Sequence, residues 1–158
     1  MRTAKLAVVV LAALMGAASV GCNADAAPPP FTPVVDTKEL MNTVIDPTTD
    51  IIWDSVKTII TAAGIEEIRP QTEEEWTAVR NAAVIVAESG NLLMMVPRAR
   101  DGGDWMRASQ AMIDSGRATM KAAEAKDADK IFELGGVIYN ACTNCHAKYV
   151  QGLERVSD

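Results

Sequence analysis

Cys142-Thr143-Asn144-Cys145-His146 sets two thiols three residues apart, with an imidazole directly after the second. His146 is the only histidine in the chain. Three chemistries use cysteines this close together. A redox dithiol needs its first cysteine at a helix N-terminus, where the dipole favours thiolate. This pair falls late in a helical pattern, at the wrong end of that dipole. A structural zinc site needs four ligands. Apart from Cys22, the chain has no further cysteine or histidine, so zinc would need a carboxylate or a second chain. The third chemistry is covalent haem attachment, for which C-x-x-C-H is the known signal. On a helix, residues i and i+3 share a face and can form thioethers with the two vinyl groups of one porphyrin. The histidine at i+4 then lies under the iron. The motif points to one haem c, held by Cys142 and Cys145 and ligated through iron by His146.

Four amphipathic segments must position that motif. Asp36 N-caps a helix from Thr37, with Leu40, Met41, Val44 and Ile45 at helical spacing. Pro47 lacks an N–H and predicts a kink or break there. Ile51, Ile52, Val56, Ile59 and Ile60 extend the same face to Gly64. Thr72 and Glu75 form a capping box opening a second helix, which carries Trp76, Val79, Ala83, Val86, Gly90 and Leu93 and ends by Pro97. A third helix begins near Asp104, with Trp105, Ala108, Met112, Ser115, Thr119 and Ala122. Asp127 caps a fourth, whose stripe runs Ile131, Leu134, Ile138, Ala141, Cys142, Cys145 and Tyr149. No alternating strand pattern competes. Short connections between long helices predict an all-α fold, an antiparallel up-down-up-down four-helix bundle over residues 36–158, with haem at one end.

Residues 1–21 have the form of a signal peptide: Arg2 and Lys5, then an apolar run from Leu6 to Val20, too short to span a bilayer comfortably. Ser19-Val20-Gly21-Cys22 resembles the lipobox of bacterial lipoproteins, with Gly21 and Cys22 fitting and Ser19 departing from it. Cys22 is therefore the expected lipidation site, and Ala24-Asp25-Ala26 is the competing cleavage site. Residues 22–35 hold a run of prolines that reads as an extended tether. Export to the periplasm, tethered to a membrane, is the expected location. Removing Arg2 and Lys5 takes the formal charge from −6 to −8. Such an acidic chain has no basic stripe, so nucleic acid is not an expected partner.

The stretch "GGVIYNACTNCHAKY" near the C-terminus of a four-helix chain resembles the class II c-type cytochromes, the cytochrome c-prime group. The resemblance covers roughly residues 36–150. It implies that Cys142 and Cys145 carry thioethers and His146 is the proximal ligand. The group divides at the opposite face of the iron, early in the first helix. Methionine there gives six-coordinate, low-spin electron carriers, and an apolar residue gives five-coordinate, high-spin proteins that bind NO or CO. Here that region reads "KELMNTVI", and the resemblance to the methionine-ligated members implies Met41 as second iron ligand, with Leu40 as the apolar alternative. Bundle geometry also brings Met94, Met95 and Met106 near the motif and leaves Met112 further from that mouth. Trp105 and Leu93 are expected to wall the pocket, with Trp53 and Trp76 in the core. Arg98, Arg100, Arg107 and Lys148 gather at the same end, as partners for haem propionates or an acidic protein. The expected function is single-electron transport between redox proteins, not enzymatic conversion. The alternatives are a gas-binding cytochrome and a haemless metal-binding or interaction lipoprotein. Dimerisation is frequent in the resembled group, so a homodimer is a further expectation.

Overall fold

The computed structural model describes residues 31–150. The signal segment, Cys22 with its lipidation, most of the tether and residues 151–158 lie outside the described residues. The first helical rod is continuous from Thr37 to Ser55. It comprises α1 (Thr37–Leu40), a π-helical turn (Met41–Ile45) and α2 (Asp46–Ser55). Asp36 caps it, its Oδ1 accepting the Glu39 N–H at 2.8 Å. The expected disturbance at Pro47 takes the form of the π turn, not a break. Pro47 cannot donate to the Thr43 carbonyl and its ring crowds that position. The chain widens instead, and the Asp46 N–H donates to the Met41 carbonyl, five residues back.

The rod stops at Ser55 instead of running to Gly64. The expectation of a chain without strands is therefore corrected. An antiparallel hairpin follows, β1 (Lys57–Thr61) and β2 (Gly64–Ile68), registered from Lys57↔Ile68 to Thr61↔Gly64. Thr58, Ile59, Ile60 and Thr61 are four consecutive β-branched residues, which favour a pleated strand over a helix. Gly64 sits at φ +141°, closing the turn in a conformation that other residues rarely adopt.

Three long helices complete the domain: α3 (Glu73–Met94), α4 (Asp104–Glu124) and α5 (Ala128–Tyr149). Both halves of the capping box form at the start of α3. The Glu75 N–H donates to Thr72 Oγ1, and the Thr72 N–H donates to Glu75 Oε2. Asp127 caps α5 through the Lys130 N–H. The first rod, α3, α4 and α5 pack against one another as a helical bundle, with the α3–α4 seam the longest. A Cβ added at Gly116 would lie 2.7 Å from the Ala87 nitrogen, so only glycine lets these two helices approach so closely. Ile52, Val79, Val86, Ile131 and Ile138 are the fully buried centre. Their burial supplies the main drive for packing. Two buried hydroxyls in this core turn back on their own helices: Thr49 donates to the Ile45 carbonyl and Thr119 to that of Ser115. None of the described helices is long and apolar enough to cross a membrane.

Candidate functional site

The π turn and the C-terminal half of α5 face each other across a cavity of about 300 Å³. Cys142, Cys145 and His146 line it from α5, and Met41 lines it from the first residue of the π turn. The four residues singled out by sequence thus meet at one place. Sites of this kind are usually mostly apolar clefts of roughly 300–1,000 Å³, so this one lies at the small end. Ile45, Trp53, Leu93 and Met112 supply its apolar walls. Asn42, Asp46, Thr49 and Ser109 add a polar margin.

Burial pushes the thiol of Cys142 above its ordinary pKa, with smaller contributions from Cys145 and Asp46. Burial alone does the same for Cys145. Both shifts disfavour thiolate, the opposite of what a redox dithiol needs. Among the described residues, no three of His, Cys, Asp and Glu gather into a group able to hold a metal ion by themselves. The donors instead comprise two thiols one helical turn apart, an adjacent imidazole, and a thioether from another element. Such a set fits a haem held through thioethers with nitrogen and sulfur on its iron.

Several contacts fix the turn that carries the motif. The Tyr149 hydroxyl donates to Asp101 at 2.5 Å, and its ring stands edge-on to Trp105 with centroids 5.0 Å apart. The other oxygen of Asp101 accepts the Gly103 and Trp105 N–H groups, which begin α4. Trp105 Nε1 donates to the Leu93 carbonyl at 2.7 Å, in the last turn of α3. Lys148 pairs with Asp104, which also pairs with Arg107. The end of α5 is thus tied to the end of α3 and the start of α4.

The placement of other residues differs from the sequence expectation. Trp53, expected in the core, packs half-buried against it and also lines the cavity, donating from Nε1 to the Gly135 carbonyl at 3.0 Å. Trp105, expected as a wall, is buried beside Tyr149 and does not line the cavity. Met112, expected further off, reaches the cavity, whereas Met94, Met95 and Met106 do not line it. Leu40 is buried in the core and does not line it either. Arg107 and Lys148 are engaged by Asp104, and Arg98 is buried against the backbone, so the four cations do not form one cluster. Tyr139, unmarked in the sequence, also lines the cavity. One signal pointed to it: it lies three residues before Cys142 on the same helix.

Compared with family models, curated proteins and solved structures, the chain matches none of them.

Proposed function

We propose that this chain is a periplasmic c-type cytochrome that carries single electrons, a class II-like bundle with haem at one end, whose iron His146 and Met41 would ligate. The observation that carries this reading is that Met41, Cys142, Cys145 and His146 line one cavity. When bound, the haem supplies a one-electron ferric–ferrous couple, and a His/Met ligand pair raises its potential relative to other ligand sets. Cys142 and Cys145 would anchor the group through thioethers. His146, from α5, and Met41, from the π turn, would supply nitrogen and sulfur to its iron. Ile45, Leu93 and Met112 are buried apolar residues that line the cavity, and Trp53 is held against α5 by its bond to Gly135. The burial of Leu40 in the core favours Met41 as the distal residue.

The four helices are proposed to run up, down, up and down. The close packing of α3 on α4 and of α4 on α5 supports this, because each pair is joined by a short connection. The export signal and Cys22 support a lipid-tethered protein in the periplasm, exchanging electrons with other redox proteins. The test is covalent retention. Haem should survive acid–acetone extraction and migrate with the polypeptide on a denaturing gel. Cys142→Ala/Cys145→Ala should yield chain without covalent haem. Purified wild type without haem would overturn the proposal.

A further inference from the structure

The domain is acidic, and most of its cations are neutralised. Of the twelve lysines and arginines at positions 31–150, seven have a carboxylate within 4.0 Å. Lys38, Arg98, Arg100, Arg117 and Lys121 have none among the described residues. Three of these five, Lys38, Arg98 and Arg100, line one cleft of about 380 Å³, walled by residues 33–38 and the loop after α3. The cleft shares no lining residue with the Met41–His146 cavity.

Arg98 is the telling member, because its side chain is only 6% exposed. Its Nη2 donates to the Val35 carbonyl at 2.9 Å and its Nη1 to the Leu92 carbonyl at 3.2 Å. These bonds hold the guanidinium in place but bring it no negative charge. Buried charges are normally paired with an opposite charge. Among the described residues, the only acid lining the cleft is Asp36, whose carboxylate is engaged in capping the first rod. The cleft therefore joins a fixed, buried guanidinium to two exposed cations.

We infer that the Lys38–Arg98–Arg100 cleft is an anion site for a phosphate ester. Three cations against one acid favour a multiply charged anion over a single carboxylate. The guanidinium fork of Arg100 matches phosphate oxygens in pairs, Lys38 adds a point charge, and Arg98, held by the Val35 and Leu92 carbonyls, adds fixed positive charge behind them. A cleft of this volume far exceeds the roughly 30 Å³ share of one water molecule. It has room for the phosphate and for the group that bears it. A soluble phosphate ester and a lipid headgroup offer the same chemistry, and the cleft is walled by the residues that follow the Pro-rich segment.

The test uses the purified protein carrying Cys22→Ala, so that no acyl chain takes it to membranes. Glycerol 3-phosphate is titrated by calorimetry. Vesicles of phosphatidylcholine containing phosphatidic acid are compared with phosphatidylcholine alone by flotation. Saturable binding is expected in at least one arm, and the arm that responds identifies the source. Lys38→Gln/Arg100→Gln should weaken that binding by about tenfold or more, since each lost contact is charge-assisted. Arg117→Gln/Lys121→Gln removes the same charge elsewhere and should leave binding unchanged. The visible absorption spectrum should be identical in all variants, which separates this site from the haem proposal. Binding in neither arm, or equal loss in both double variants, would overturn the inference.

Discussion

The seam between α3 and α4 and the seam between α5 and the first rod are built from opposite materials. Along α3 and α4, Ala83, Val86, Ala87, Gly90, Ser109 and Gly116 bring two backbones into direct contact. A methyl group at Gly90 would meet the Ser109 carbonyl at 2.6 Å. Along α5 the same tightness holds only as far as Ile138. Ile131 and Ile138 are wholly buried, yet beyond Ile138 no residue of α5 is buried, although the apolar stripe continues through Cys142 and Cys145. Opposite that stretch the rod widens into its π turn, a feature common at functional sites. One seam of the bundle is thus built for contact and the other diverges around a cavity. Stability and chemistry are placed in different parts of the same fold.

Substitutions can break this contrast. The largest effect should come from Gly116→Ala, whose new methyl group would press on backbone atoms of Ala83 and Ala87 that cannot swing aside. A loss of about 3 kcal/mol is expected from urea unfolding. An unchanged midpoint would mean that the seam is looser than its geometry. Trp53→Phe keeps an aromatic wall but removes the side-chain donor to the Gly135 carbonyl, and should lose about 1 kcal/mol. Gly136→Ala lies on the open face of α5, where a Cβ meets nothing within 4 Å. It should gain about 0.5–1 kcal/mol in the same measurement.

The smallest effect depends on pH. The Tyr149 hydroxyl has its pKa pushed from 10.0 up to about 12, by partial burial first and by its bond to Asp101 second. A raised pKa gives stabilisation that is complete below pH 10 and lost as pH rises through 12. The same bond, with the Gly103 and Trp105 N–H groups, holds the Asp101 carboxyl below its ordinary value. That stabilisation is present above the usual carboxylate range and fades as pH falls through the lowered value. Tyr149→Phe should flatten the alkaline limb of a midpoint-against-pH plot. An alkaline limb of unchanged slope would show that the hydroxyl does not tie α5 to α4.

Much of this was legible in the sequence because local chemistry dictated it. Asp36, Thr72 with Glu75, and Asp127 announced three helix starts, and all three caps form. Gly90, read as part of the second helix's stripe, lies where α3 meets α4, and the C-x-x-C-H spacing located the cavity. The hairpin was missed because Ile51, Ile52, Val56, Ile59 and Ile60 satisfy helical spacing, while the β-branched run from Thr58 to Thr61 favours a strand. The exchanged roles of Trp53 and Trp105 were not legible. They depend on where the rod stops and on Nε1 partners 82 and 12 residues away in the chain. Met112 was misplaced for a similar reason: how far the cavity reaches along α4 depends on contacts between elements distant in the sequence.

The most direct test is the ferric absorption spectrum of the purified wild type beside those of Met41→Ala and Met112→Leu. The account predicts a low-spin haem with the weak long-wavelength charge-transfer band of a methionine–iron bond. That band should vanish, with conversion to high spin, only in Met41→Ala. A wild type already high-spin, or a band lost in Met112→Leu and kept in Met41→Ala, would contradict the assignment of Met41. A wild type with no haem absorption would contradict the account as a whole.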